Sequence, residues 1–359
     1  MPLLIDEVEI KKSPKVLLHD HLDGGVRSET LIELAQECGY PNLPKDNPKD
    51  LAQWYWDACN DGSLELYLET FEHTISLMQT QEQIIRVARE AVIDLALDGV
   101  VYAEIRGAPE LFTRKGLTLN QVIEATNEGF AQGMKEALGK GFKIQANNIL
   151  CALRQNKVSF EIAQKVLEFK DRGVVGFDIA GPEAGFPPDD HLKAFSYLEK
   201  NGCHFTIHAG EADGVASIAQ AVRICHAQRI GHGIRLIADI EFTGDEVSFG
   251  DLAQEILDRQ ILLEMAPTSN LQTGGAKSYE THQIGVMKKL GFNVSINTDN
   301  RLMSRTNMSN EILKIAEGYS WNLDELQDLA LNAIGAAFIP KEKQSDIAAQ
   351  IREGFKVLA

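Results

Sequence analysis

Two imidazoles stand two residues apart in the run Val16–Gly24, VLLHDHLDG. The run is apolar enough to be a buried strand, and strand residues two apart share a face. His19 and His21 therefore project the same way from a rigid element, which suits two ligands of one metal ion. Alone, such a pair is more often two ordinary core or surface residues. Further along, HAGE carries His208 and Glu211, RIGHG carries His232, and NTDN carries Asp299. Whether these groups act together depends on the elements that hold them.

Eight short β-like runs are present: Val16–Leu22, Val100–Arg106, Ile144–Ala152, Val174–Ala180, His204–His208, Arg229–Gly233, Ile261–Met265 and Asn293–Asn297. From the second onward their starts recur every 25 to 44 residues. Helical periodicity fills the gaps at Leu117–Leu138, Phe160–Phe169, Ile218–His226, Leu252–Leu257 and Ile284–Leu290. Such alternation predicts parallel strands joined by crossover helices. The first gap is longer, 84 residues from Val16 to Val100, and reads as helices at Ser28–Cys38, roughly Leu51–Asp57, Ser63–Met78 and Gln81–Ala96. After the last strand, Asn310–Ala316, Leu323–Ala333 and the tail from Lys341 are helical. The expected architecture is α/β: a single (β/α)8 TIM-type barrel over residues 1–359, with a helical insertion at about 28–98 and extra C-terminal helices. Catalytic residues of such barrels sit at the C-terminal strand ends.

In that frame the first strand ends in His19 and His21, with Asp23 just beyond, and the fourth ends in Gly181. The fifth gives His208 and Glu211, the sixth His232 and the eighth Asp299. Histidines and a carboxylate converging on one mouth suit zinc with room for a water, and zinc lets a water ionise near neutral pH. His73, His191, His226 and His282 fall within predicted helices, and His204 opens the fifth strand at the far end. Those five are read as structural.

Composition narrows the class. The formal charge of −17 argues against nucleic acid, whose phosphates are bound by clustered Lys and Arg. No apolar run approaches the ~20 residues that span a bilayer, and the acidic start MPLLIDEVEIKK is unlike a signal peptide. The five cysteines form no C-x-x-C pair and read as buried small hydrophobes of a cytoplasmic protein.

Taken in order, LHDHLDG, YAEIR, DIAG, HAGE, RIGHG, APTSN and NTDN resemble the adenosine deaminase family of metal-dependent hydrolases. The resemblance runs from about Val16 to Met303 and includes LELYLETFEHT, which is similar to the family's apolar gate. It implies hydrolytic deamination of adenosine and 2′-deoxyadenosine to the inosine product and ammonia, in purine salvage. It also implies one zinc per chain, held by His19, His21, His208 and Asp299. Glu211 would face N1 of the purine, His232 the attacking water, and Gly181 would offer its N–H to N3. Asp23 would accept from a ribose hydroxyl, and Leu64, Tyr67, Leu68 and Phe71 would form the apolar wall.

The chemistry explains those types. Attack at C6 pushes electrons toward N1, so Glu211 must carry a proton, and an apolar wall would raise its pKa by desolvation. Two positions depart from the commoner pattern. Many family members have a second aspartate, facing N7, where this chain has Asn300, whose amide donates at any pH. Tyr67 stands where Phe is common. Rival readings are deamination of adenine or a modified adenosine, a two-metal amidohydrolase, and a non-catalytic nucleoside-binding barrel. A two-metal site needs a bridging ligand, often a lysine of the fourth strand, where this chain has Ala180-Gly181. AMP is disfavoured because Asp23 would face its 5′-phosphate.

Overall fold

The computed structural model describes residues 5–60 and 62–358. Among these residues ten strands form: β1 (Lys15–His21), β2 (Val100–Gly107), β3 (Gln145–Leu153), β4 (Val174–Ala180), β5 (His204–Ala209), β6 (Arg229–His232), β7 (Ile240–Thr243), β8 (Glu246–Phe249), β9 (Leu262–Met265) and β10 (Val294–Ile296). Eight of them make one parallel sheet in the order β1-β2-β3-β4-β5-β6-β9-β10. Because β10 has only three residues, the ring closes just beyond it. Asp20 bridges Asp299, His21 N–H donates to Asp299 O at 2.7 Å, and Asp299 N–H donates to His19 O at 3.0 Å. The barrel expected from the sequence is thus present, and its seam is made by residues of the chemical motifs.

Buried apolar side chains such as Val16, Leu17 and Leu18 pack β1 between barrel and helices. The antiparallel hairpin of β7 and β8 lies outside the barrel order. Sequence reading missed it. Ile-Glu-Phe-Thr and Glu-Val-Ser-Phe alternate around Gly244-Asp245, a hairpin signal, but Phe242 is 52 % exposed and the strands give the core little beyond Ile240 and the edge of Phe249. A short helix at Glu7–Lys12, closed by an Asp6/Glu9 capping box, was also not expected.

The insertion after β1 is helical, as predicted, in five pieces: Ser28–Cys38, Pro48–Ala58, Leu64–Glu69, Phe71–Ser76 and Gln81–Leu97. The expected Ser63–Met78 helix breaks at Thr70, whose hydroxyl donates to Tyr67 O at 2.8 Å. Such local side-chain bonds compete with the helical ladder. Thr80 caps the last piece with Gln83 in a capping box.

That helix packs against Leu119–Gly139, and two glycines four residues apart set the distance. A Cβ on Gly129 would stand 2.5 Å from Ala88 Cβ, and one on Gly133 would stand 2.7 Å from Arg89 O. Alanine has the better helix propensity by ~1 kcal/mol, but the clash on Gly133 is with backbone. Gly133→Ala is therefore expected to lower unfolding free energy by about 1–3 kcal/mol in a denaturant titration. An unchanged or raised midpoint would show that propensity outweighs the close approach.

Candidate active site

The strand ends bring the predicted side chains together at one mouth. His21 Nε2 lies 3.2 Å from His208 Nε2 and 3.4 Å from Asp299 Oδ1, and His19 Nε2 lies 3.3 Å from Asp299 Oδ1. Metal–ligand bonds of about 2.0–2.1 Å in tetrahedral array put neighbouring ligand atoms about 3.3 Å apart. The donor spacing therefore fits a small metal ion. His19, His208, His232 and Asp299 also bring one donor atom each within 4.8 Å of one another. His19 Nε2 is buried with no hydrogen-bond partner, as a ligand nitrogen aimed at a cation would be.

Backbone geometry supports this convergence. His232 and Asp299 adopt positive φ, 62° and 55°, a region that Asn, Asp and His enter more readily than other non-glycine residues. Asp299 is held there by its two backbone bonds to β1. Gly231, just before His232 in the motif RIGHG, lets β6 approach: a Cβ there would lie 3.2 Å from His19 Cε1 and 3.1 Å from His208 Cα.

Beneath the donors lie carboxylates that sequence reading did not single out. His19 Nδ1 is 3.0 Å from Glu264 Oε2, and His208 Nδ1 is 2.8 Å from Asp178 Oδ2, though less well aligned. A carboxylate on the far nitrogen fixes the tautomer and aim of a metal-binding imidazole. Arg106 donates to both carboxylates and to Leu18 O, reaching Glu264 at 2.9 Å. Arg229 Nε donates to the other oxygen of Glu264 at 2.6 Å. Burial alone would raise both carboxyls. His208 and Arg106 instead hold Asp178 at about 2, and Arg229 and Arg106 hold Glu264 well below the usual carboxylate range. The signal for these residues was charge inside apolar strand runs: YAEIR, FDIA, LLEM.

Glu211 sits beside the cluster, 5 % exposed, its Oε2 3.5 Å from His232 Nε2. Burial, then the charges of Asp299 and Glu183, push its carboxyl well above the usual range. Burial thus favours its protonated form. Burial and the neighbouring His19 drive His232 down to about 3. Ala266 N–H donates to Asn270 Oδ1 at 3.3 Å, turning the Asn270 amide nitrogen toward His232 Nδ1 at 3.0 Å. Neutral His232 thus keeps its proton on Nε2, toward Glu211. Asn270 stands in APTSN, a motif whose letters alone assign its asparagine no role.

A cavity of about 420 Å³ opens over these groups. Every predicted wall and contact residue lines it: Leu64, Tyr67, Leu68, Phe71, Asp23, Gly181 and Asn300. Gly181 has φ +100°, and a Cβ there would meet Gln155 Oε1 at 2.7 Å. Burial raises Asp23 to about 7. The Tyr67 hydroxyl and Asn300 Oδ1 are buried without a partner of good geometry. Glu69 and Glu72 complete the rim, and among the described residues no Lys or Arg lines the cavity. None of the five remaining histidines lines it either. His73 lies in a helix, but His191 ends a 3₁₀ turn, His282 caps Gln283–Lys289, and His226 lies past its helix at φ 60°.

The sequence profile of adenosine deaminases matches residues 14–354. The chain belongs to the adenosine deaminase family. It is 50% identical over 351 residues to adenosine deaminase 1 of Streptomyces coelicolor, covering 97% of this chain and 89% of that one. The adenosine deaminase of Mycobacteroides abscessus is 47% identical over 356 residues, 99% and 98% of the two chains. Among solved structures, the N6-methyl-AMP deaminase of Arabidopsis thaliana superposes with TM-score 0.80 at 26% identity, over 98% of each chain. An adenine deaminase of Arthrobacter aurescens shares the fold, with TM-score 0.83 at 22% identity over 96% and 99%.

If Asp178 aims His208 at a metal, Asp178→Asn should weaken metal binding about 10–100-fold in a chelator competition. Affinity equal to the parent's would show that His208 needs no carboxylate behind it.

Proposed function

We propose that this deaminase is zinc-dependent, with one zinc per chain held by His19, His21, His208 and Asp299, and that it converts adenosine and 2′-deoxyadenosine to inosine and 2′-deoxyinosine with release of ammonia. The observation that carries the reading is Glu211, a carboxyl whose burial favours its protonated form, lining one cavity with His21, His208 and Asp299, whose donor atoms group tightly with His19 Nε2. Zinc bound there would lower the pKa of a water toward neutrality. The chain's own residues supply the rest. Water oxygen bonds to C6, and the ring's electron pair moves to N1, which takes the Glu211 proton and keeps it in inosine. His232 Nε2–H orients the attacking oxygen, and the ionised Asp299 accepts its hydrogen bond. One hydrogen of the water reaches N6 by way of Asp299, the C6–N6 bond breaks, and ammonia leaves. The other restores the Glu211 carboxyl.

Gly181 N–H facing N3, Asn300 facing N7 and Asp23 facing a ribose hydroxyl would orient the nucleoside beneath the wall of Leu64, Tyr67, Leu68 and Phe71. A nucleoside suits this cavity better than a nucleotide. Its lining offers Asp23, Glu69 and Glu72 and, among the described residues, no cation for a phosphate. Adenine would leave Asp23 without a partner. A panel of adenosine, 2′-deoxyadenosine, adenine, AMP and N6-methyladenosine, followed by ammonia release and metal analysis, tests the assignment. Preference for AMP would overturn it. The reading places the enzyme in the cytoplasm as one catalytic domain.

Glu211→Gln keeps size and a donor but cannot transfer a proton, so kcat should fall about 10²–10⁴-fold with metal retained. The raised pKa also sets a direction with pH. A general acid works only while protonated, so parental kcat/KM should hold below the Glu211 pKa and fall as pH rises through it. Turnover in Glu211→Gln within twofold of the parent would remove Glu211 from this role.

Asn300 makes a separate prediction. If its amide donates to N7, 7-deaza-adenosine leaves a buried donor unpaired, at a cost of about 1–3 kcal/mol in kcat/KM. Asn300→Asp must be protonated to donate, so its activity should show a further decline with rising pH, through the ionisation of the new carboxyl, that the parent lacks. Equal handling of both substrates by the parent would leave Asn300 as a loop residue only.

A further inference from the structure

The loop that carries the proton donor is built around a second carboxylate. Glu183, 3 % exposed, follows β4 and inserts beneath the turn after β5. Its Oε1 accepts from Gly210 N–H at 2.6 Å and from Ser217 Oγ at 2.6 Å. Its Oε2 accepts from the N–H groups of Glu211 at 3.0 Å, Ala212 at 2.8 Å and Asp213 at 2.9 Å. Four successive backbone donors pointing at one anion make a nest, and Gly210, at φ +72°, supplies the left-handed step that turns them inward. On the other side Arg235 Nε donates to Glu211 O at 2.8 Å. Both backbone polar groups of Glu211 are thereby anchored.

We propose that Glu183 is a positioning residue for the deamination: its carboxylate fills the nest and fixes the backbone from which Glu211 reaches the purine. This rests on Glu211 being the proton donor. Burial would raise the Glu183 carboxyl, but Arg154 and the backbone donors hold it at about 2, so the nest is filled by an anion throughout the working pH range. His208 lies within β5, paired with Gly231, and Gly181 follows β4; neither donates to the nest. Loss of Glu183 should therefore act on turnover rather than on substrate or metal binding.

Two variants of the zinc-loaded enzyme test this. Glu183→Gln keeps the shape but not the anion, and Glu183→Ala leaves space for a free carboxylate. Both should lower kcat about 10²-fold, the scale set by an ångström of misplacement, with KM for adenosine and zinc content within about twofold of the parent. In both, the amides of Gly210–Asp213 should exchange with deuterium faster than in the parent. Acetate, which replaces the missing Cγ and carboxylate, should restore kcat saturably in Glu183→Ala and not in Glu183→Gln, at constant ionic strength. The proposal is overturned if kcat stays within twofold, or if it falls only as zinc or folded protein is lost and acetate restores none. Full activity in Glu211→Gln would instead remove the proton-donor reading, while amide exchange in Glu183→Gln would still report whether Glu183 holds the loop.

Discussion

Charge taken out of water must be matched, and that requirement organises the barrel interior. Arg106, Arg229, Glu104, Asp178 and Glu264 are all essentially unexposed. They survive there as one alternating chain: Asp178 to Arg106, Arg106 to Glu264, Glu264 to Arg229, Arg229 to Glu104. Removing a partner from such a chain leaves a buried charge uncompensated, at a cost of about 3–5 kcal/mol. The chain also reaches the chemistry, because the same two carboxylates that satisfy Arg106 stand behind His208 and His19. Stability of the floor and aim of the metal-facing imidazoles are therefore one arrangement.

Above that floor, the carboxyls differ in what surrounds them rather than in burial. Asp178, Asp299 and Glu183 each face histidines, guanidinium groups or backbone donors, and these overcome the desolvation that would protonate them. Glu211 faces two of those anions instead, and desolvation prevails. Paired acids whose environments push their pKa values apart are what a site needs to hold one proton donor beside fixed negative charge.

The insertion after β1 closes the cavity with short helices of few residues each, Leu64–Glu69 and Phe71–Ser76. Tyr67 and Asn300, the two positions that depart from the commoner family pattern, both face this cavity, and each brings a buried oxygen without a well-formed hydrogen bond. Polar groups left in that condition are costly, so the lid and the loop after β10 are where a bound purine has most to satisfy.

Sequence alone was enough for the β/α rhythm, the eight barrel strands to within a few residues, the strand-end histidines and the acids Glu211 and Asp299. These follow from local rules: period-two and 3.6-residue patterns, and motif spacing. Resemblance, rather than periodicity, supplied the roles of Asp23, Gly181, Asn300 and the wall residues, and the structure places all of them around one cavity. Asp178, Glu264, Arg106, Glu183 and Asn270 were visible only as letters within motifs. Their long-range partners lie 27 to 245 positions away along the chain, and no local pattern states which distant donor a carboxylate will meet. The break at Thr70 and the hairpin of β7 and β8 were missed for another reason: the first turns on one side-chain bond inside an otherwise apolar helical run, and the second is a pair of four-residue strands with most side chains exposed. Which imidazole nitrogen faces the cavity, which carboxyl keeps its proton and which glycine must stay bare were decided by the closed ring, because only closure sets the distances on which desolvation and charge pairing depend.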